Sequence, residues 1–143
     1  GHSLGKKLRN ESGTIFCVLG DGELQEGQVW EGLMYYPKTG MKNMICIIDW
    51  NKGQNDGYTG EVSIMYDNLQ ERISSFGWDT KMVDGHDMKS IRDSFNDMVG
   101  DKPLCVILDT VKGKGVSFME HPDWHCKVPT DEEYEIAMKE LGV

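Results

Sequence analysis

Short apolar runs alternate with segments of helical periodicity along this chain. Four runs of strand length lie at residues 14–19, 43–49, 79–83 and 104–110. The first, second and fourth are nearly continuous in Ile, Val, Cys and Leu, which is typical of strands covered on both faces. These runs predict a parallel sheet.

Between the runs, apolar side chains recur every three to four residues, as on one face of an α-helix. Helices are predicted at residues 28–36, 68–76 and 87–99. Asp87 is a candidate N-cap, and Thr130 with Glu133 predicts a capping box for a last helix that ends at Gly142. Strands alternating with helices indicate an α/β fold, a parallel β-sheet flanked by helices, in a single domain over residues 1–143.

Composition and charge limit the classes of function that this chain can have. The chain has 143 residues and a formal net charge of −9, which argues against binding to nucleic acid or to an anionic membrane. No apolar run approaches the roughly 20 residues that a membrane span needs. Three of the four cysteines lie within apolar runs and none forms a CxxC pair, which favours a reducing, cytoplasmic compartment.

Polar, glycine-containing segments follow the first two runs, where open α/β sheets bind their ligands. GDGELQEG begins at Gly20 and DWNKGQNDG begins at Asp49. Asp21, between two glycines, fits either a tight turn or a cation ligand beside a phosphate group. We expect Asp21 outside the core, and we expect Asn51 to meet it at the same edge of the sheet, because a β-helix-β unit separates them.

Taken in order, these motifs resemble those of transketolases. GDGELQEG followed by DWNKGQNDG is similar to the thiamine-diphosphate motif of that family, and FGWDTKMVDGHD, DTVKGKGVSFME and WHCKVPTDEEYEIAMKEL agree with it in sequence order. The resemblance runs from about residue 14 to the C-terminus. It is greatest to the N-terminal subunit of a two-gene enzyme. It implies that this chain has the thiamine-diphosphate-binding fold and is the diphosphate-binding domain.

The resemblance implies thiamine diphosphate and Mg²⁺ as cofactors, with Ca²⁺ or Mn²⁺ able to replace Mg²⁺. Asp21, Asn51 and the carbonyl oxygen of Gly53 would bind the metal, and the amide of Gly22 would donate to the diphosphate. His125 would lie near both the diphosphate and the substrate. The implied cofactor-binding residues are Gly20, Asp21, Gly22, Glu23, Asn51, His125, His2, Ser3 and Leu4.

The resemblance also assigns Glu26 and Glu31 to a dimer interface, in a proton-conducting link between active sites. The alternative is a solvated acidic start of a helix. The predicted helix at residues 28–36 is apolar nearly all round, so we expect one of its faces to pack against another protein chain. Asn55 stands where the family usually has a branched apolar residue near the cofactor ring, and Cys126 stands where it usually has glycine.

The implied activity is transfer of a two-carbon ketol unit between sugar phosphates. His125, Glu26 and Glu31 would be the catalytic residues on this chain, which would act in a homodimer or heterotetramer with a C-terminal pyrimidine-domain transketolase subunit. Lys6 follows the GHSLG segment directly where the family has a further helix, which suggests truncation near the N-terminus. The alternatives are another thiamine-diphosphate carboligase, of the deoxyxylulose-phosphate synthase type, and an inactive transketolase-like fragment.

Overall fold

A parallel four-stranded sheet lies at the centre of the computed structural model, which describes residues 1–63, 67–96 and 100–143. In chain order the strands are Ile15–Gly20 (β1), Met44–Trp50 (β2), Gly53–Gln54 (β3), Gly57–Tyr58 (β4), Asp79–Asp84 (β5) and Leu104–Asp109 (β6). The main sheet has the order β1-β2-β6-β5, and its neighbours are all parallel. Strands β3 and β4 form a separate antiparallel hairpin. The predicted α/β fold is therefore confirmed.

Six helices and three 3₁₀ turns accompany the strands in the described part of the chain. The helices are His2–Leu8 (α1), Gly27–Lys38 (α2), Thr59–Val62 (α3), Leu69–Ser75 (α4), Met88–Ser94 (α5) and Asp131–Leu141 (α6), and the 3₁₀ turns are Glu23–Gln25, Ser117–Met119 and Pro122–His125. None of the described helices is both long enough and apolar enough to cross a membrane.

The predicted helix boundaries are mostly close to those observed. Asp87 caps α5 by accepting a hydrogen bond from the amide of Lys89. The capping box of Thr130 and Glu133 opens α6, and Gly142 ends it in the left-handed conformation at φ 74°. Helix α5 ends at Ser94, and residues 97–99 of that prediction lie outside the described residues.

The larger core cluster lies on the face of the sheet that α2 and α4 cover. Its fully buried members include Ile48 of β2, Ile73 of α4 and Trp78. Trp78 stacks on Tyr36 of α2 with ring centroids 5.4 Å apart, and its indole nitrogen donates to the carbonyl oxygen of Leu33 at 2.8 Å. These contacts hold α2 against the residue that directly precedes β5.

The opposite face is covered only in part. Ile45, Leu104 and Val106 are buried there against Phe95, which follows α5. Phe16 and Val18 of β1 remain 57% and 63% exposed, so the expectation that this strand is covered on both faces is wrong. The reason is geometric: a helix about 10 Å across covers roughly two strands spaced about 4.8 Å apart, and α5 is the helix seen on this face.

The strand order reverses between β2 and β6. The chain passes from β1 to its neighbour β2 in one direction and from β5 to its neighbour β6 in the other. Helices α2 and α5 accordingly lie on opposite faces. Open α/β sheets bind ligands at such a reversal, outside the carboxyl ends of the strands. We therefore expect a ligand site at the carboxyl ends of β2 and β6.

Candidate functional site

Asp21 lies directly after β1 and is 3% exposed. The hydroxyl of Thr59 donates to Asp21 Oδ2 at 2.7 Å, and the backbone amides of Gly22 and Lys52 also donate to the carboxylate. The expectation that Asp21 lies outside the core is wrong, because the β3–β4 hairpin and the start of α3 fold back over the end of β1.

The Asp21 carboxylate has no basic partner among the described ion pairs. Burial raises the pKa of Asp21 above its ordinary value, the three hydrogen bonds oppose that rise, and the nearby carboxylate of Asp49 adds to it. Within residues 1–63, 67–96 and 100–143, no three His, Cys, Asp or Glu side chains form a metal-binding group. A buried carboxylate of this kind, combined with amide and carbonyl oxygens, suits a hard divalent cation.

Asn51 lies directly after β2, the neighbour of β1, so both predicted metal ligands lie at the same edge of the sheet. The amide of Gly53 donates to Asn51 Oδ1 at 2.9 Å, and Asn51 Nδ2 lies 3.4 Å from Asp49 Oδ2. Asp49 in turn accepts a hydrogen bond from the hydroxyl of Thr110, after β6. This network sets the orientation of the Asn51 amide.

The turn after Asn51 is crowded and partly strained. Lys52 has φ 64°, in the left-handed region that side chains rarely adopt. A Cβ at Gly53 would lie 3.2 Å from Asn51 Oδ1 and 3.4 Å from Pro122 Cγ. A larger residue at position 53 would therefore displace the Asn51 amide or the turn that contains Pro122.

A cavity of about 380 Å³ opens at the reversal between β2 and β6. Asn51, Gly53 and Thr110 line it, together with the side chains of Lys52 and Lys112. Lys52 Nζ is held at 2.5 Å by Asp109 Oδ1. Amide groups and ammonium groups together suit the oxygens of a phosphate ligand.

The GDG segment forms a turn whose polar groups bind one another. The amide of Gly20 donates to Glu23 Oε2 at 2.7 Å, and the amide of Gly22 donates to the Asp21 carboxylate. The tight-turn interpretation of the motif is therefore confirmed, and the role of Asp21 as a cation ligand stays a prediction. Contacts of Gly20, Gly22 and Glu23 with a diphosphate remain predictions.

His125 ends the 3₁₀ turn Pro122–His125, which contacts β3, and its side chain is exposed. Cys126 follows it with φ −128°, a conformation open to any side chain, so cysteine in place of glycine causes no backbone strain there. The Cys126 thiol lies 4.0 Å from Asn55 Oδ1. The two departures from the family pattern are therefore in contact with each other.

The structure does not bring His2, Ser3 and Leu4 to this edge. The hydroxyl of Ser3 contacts Tyr36 Oη at 2.9 Å and Asn43 Oδ1, and Asn43 directly precedes β2. Residues 2–8 form α1, which a short connection ties to the amino end of β1. These three residues therefore lie toward the opposite end of the sheet from Asp21 and do not line the cavity at its carboxyl edge.

The outer surface of α2 carries the two glutamates expected at an interface. Glu26 is the N-cap residue of α2, Glu31 lies in its second turn, and both are exposed. Met34 and Tyr35 are 47% and 67% exposed, whereas Leu33 and Tyr36 are buried. The helix thus leaves two large apolar side chains exposed, and their contact with another protein chain stays a prediction.

Sequence reasoning missed Thr59 and Gln54. Both are buried, at 1% and 6% exposure, and they reach the site only because the chain folds back through β3 and β4. Each of those strands has two residues, which is too short to leave an alternating pattern in the sequence.

The family model described as "Transketolase, thiamine diphosphate binding domain" matches residues 6–143. Among curated proteins, an apulose-4-phosphate transketolase subunit of Phocaeicola vulgatus is 36% identical over 99% of this chain and 51% of its own length. A 6-deoxy-6-sulfo-D-fructose transketolase subunit of a Clostridium species is 34% identical over 99% of this chain and 52% of its own. The chain thus spans about half the length of these relatives.

Solved structures agree with the sequence matches. A transketolase from Pichia stipitis superposes with a TM-score of 0.83 and 25% identity, over 92% of this chain and 20% of that one. The transketolase of Campylobacter jejuni gives 0.81 and 25% identity, over 98% and 23%. Together with the family match and the parallel sheet, these likenesses show that the chain belongs to the transketolase family, as its N-terminal thiamine diphosphate binding domain.

Proposed function

We propose that this chain binds thiamine diphosphate together with Mg²⁺ and supplies that site to a two-subunit enzyme that transfers a two-carbon ketol unit between sugar phosphates. One observation carries the proposal: the buried carboxylate of Asp21 has no basic partner among the described ion pairs and lies at the sheet edge that it shares with Asn51. The relatives named as transketolase subunits support the class of reaction.

Three oxygen donors of this chain would hold the cation. Asp21 would supply negative charge, Asn51 an amide oxygen and Gly53 its carbonyl oxygen, leaving further positions of an octahedral ion to phosphate and water. Ca²⁺ or Mn²⁺ could take the place of Mg²⁺ because they also accept oxygen ligands. When bound, thiamine diphosphate supplies the carbanion chemistry of the reaction.

Other residues at this edge would position the diphosphate and the substrate. Asn51 and the turn from Gly20 to Glu23 would contact the diphosphate, and Lys112 at the cavity wall would attract its negative charge. The exposed imidazole of His125 would donate a hydrogen bond toward the diphosphate or the sugar.

A second protein chain is part of the proposal. It would carry the pyrimidine domain and pack on the exposed surface of α2, with Glu26 and Glu31 near the interface. The assembly would be a heterotetramer, and the alternative is a homodimer of this chain. Exposed Met34 and Tyr35 support this surface, and two relatives at 36% identity are named as single subunits of a transketolase.

All four cysteines are free, which supports a reducing, cytoplasmic location.

Calorimetry with thiamine diphosphate tests the site. In the presence of Mg²⁺ the chain, mixed with its pyrimidine-domain subunit, should bind the cofactor, and EDTA should abolish binding. Asp21→Asn should weaken binding roughly 100-fold, because the cation loses its one carboxylate. Asp101→Asn is the matched control: its side chain is exposed and precedes β6, at the other end of the sheet.

Two outcomes would contradict the proposal. Equal affinities of the Asp21→Asn and Asp101→Asn variants would remove Asp21 from the site. If the mixed subunits bind the cofactor but transfer no ketol unit from any sugar phosphate, the inactive-fragment alternative is favoured. If they form a deoxysugar phosphate from pyruvate, the synthase alternative is favoured.

A further inference from the structure

A chain of three polar side chains, of which Gln54 and Thr59 are buried and Gln25 is exposed, ends on the Asp21 carboxylate. The Thr59 hydroxyl donates to Asp21 Oδ2 at 2.7 Å. Gln54 Nε2 donates to Thr59 Oγ1 at 3.2 Å, and Gln25 Nε2 donates to the Gln54 side-chain oxygen. The chain thus connects the 3₁₀ turn before α2 with the hairpin, with the start of α3 and finally with the end of β1.

The network fixes the direction in which the Thr59 hydroxyl donates its hydrogen bond. A hydroxyl has a single proton to donate, and it accepts through its lone pairs. Because the Gln54 amide group already donates to Thr59 Oγ1, the Thr59 proton points to Asp21. Gln25 fixes the Gln54 amide in the orientation that this requires.

Burial and backbone contacts hold Thr59 in place. Its exposure is 1%, and that of Asp21 is 3%. The backbone amide of Thr59 donates to the carbonyl oxygen of Lys52 at 2.9 Å, and the amide of Lys52 donates to Asp21. Thr59 and Asp21 are therefore joined both through side chains and through the backbone of Lys52.

We infer that Thr59 is a positioning residue for the cation site: its hydroxyl fixes the orientation of the Asp21 carboxylate, and Gln54 fixes the orientation of that hydroxyl. This inference rests on the proposed function, in which Asp21 binds the cation. Side chains that hold a metal ligand in place affect metal affinity by about 10- to 100-fold when they are removed.

Thr59→Val and Thr59→Ser form a matched pair. Valine keeps the shape of threonine and loses the hydroxyl, whereas serine keeps the hydroxyl and loses the methyl group. The probe is Mn²⁺, titrated in saturating thiamine diphosphate into the complex of this chain with its pyrimidine-domain subunit, with free Mn²⁺ followed by electron paramagnetic resonance. Thermal melting without metal reports separately on the fold.

The valine variant should bind Mn²⁺ about 10- to 100-fold more weakly than the parent protein. The serine variant should stay within about threefold, because the donor to Asp21 remains. If the two variants bind alike, or if serine is the weaker binder, Thr59 acts through packing and the inference is wrong. If Thr59→Val does not fold, Gln54→Met takes its place, and unchanged Mn²⁺ affinity there overturns the inference.

The same titration separates this inference from the proposed function. A parent protein that binds no Mn²⁺ with thiamine diphosphate contradicts both. In another outcome the parent protein binds Mn²⁺ and thiamine diphosphate, the Asp21→Asn variant does not, and the Thr59→Val variant binds as tightly as the parent. That outcome contradicts only the role of Thr59.

Discussion

At the scale of single residues, the contact between Cys126 and Asn55 bears on whether this chain can hold the cofactor. A polar amide stands where the family usually has a branched apolar side chain, and its Oδ1 lies 4.0 Å from the Cys126 thiol. A thiol is a weak donor that can still satisfy an amide oxygen. We therefore expect the two departures to compensate for each other locally instead of adding two separate defects.

A double-mutant cycle tests this compensation. Asn55→Ile and Cys126→Gly should each change the free energy of unfolding, and the double variant should differ from the sum of the single changes by about 0.5 kcal/mol, at the low end for residues in contact. Urea denaturation of the four proteins measures the coupling. Strict additivity would show that the contact contributes nothing.

The residues of the site were only partly predictable. Asp21 and Asn51 could be found because each follows a continuous apolar run, and the ends of parallel strands meet at one edge. The burial of Asp21 and its bond to Thr59 could not be found, because they depend on a hairpin with two residues in each strand. The assignment of His2, Ser3 and Leu4 rests on resemblance alone, and the short path from α1 to β1 places these residues elsewhere.

At the scale of elements, the start of α5 depends on one ionised side chain. Asp87 accepts hydrogen bonds from the Ser90 hydroxyl at 2.5 Å and from the Lys89 amide at 3.0 Å. These bonds lower the pKa of Asp87, with the Ser90 hydroxyl as the larger cause. Since the folded pKa lies below the unfolded one, the stabilisation is present above the ordinary Asp pKa and is lost as pH falls through the folded value.

The prediction for Asp87 follows from that sign. Asp87→Ala should melt at a lower temperature than the parent protein at pH 7, and this difference should shrink as the pH falls below 3.8, the ordinary value. Asp87→Asn is the control, because asparagine caps a helix without titrating in this range. Melting followed by circular dichroism measures all three proteins. A gap between parent and alanine variant that does not change with pH would argue against an ionised cap.

Helix α2 offers the surface on which assembly should depend. Tyr35 is 67% exposed and follows Met34, which is 47% exposed, on the surface of this helix. An obligate interface here should bury more than roughly 2,000 Å² and should be mainly apolar. A charge placed in its centre would lose hydration without gaining a partner.

Tyr35→Glu should therefore dissociate the complex with the pyrimidine-domain subunit without unfolding this chain. Sedimentation velocity on the mixed subunits gives the assembly state. Tyr134→Glu is the matched control, since Tyr134 is a 51% exposed tyrosine on α6. If the two variants assemble equally well, the interface lies elsewhere.

At the scale of the whole molecule, the parallel sheet could be predicted but its strand order could not. Continuous apolar runs separated by helical segments specify parallel strands. In the order β1-β2-β6-β5, the last strand in sequence lies between β2 and β5. The apolar runs do not indicate which strands pair with each other. That order puts the cavity between β2 and β6, next to the predicted ligands at the ends of β1 and β2.

The central claim is that the carboxyl edge of this sheet binds a divalent cation with thiamine diphosphate. A crystal of the protein with its pyrimidine-domain subunit, grown with Mn²⁺ and thiamine diphosphate, tests it directly through the anomalous scattering of manganese. We predict one strong peak with oxygens of Asp21, Asn51 and Gly53 each at about 2.1 Å. A peak bound by other residues of this chain, or cofactor density with no peak beside Asp21, would contradict the account.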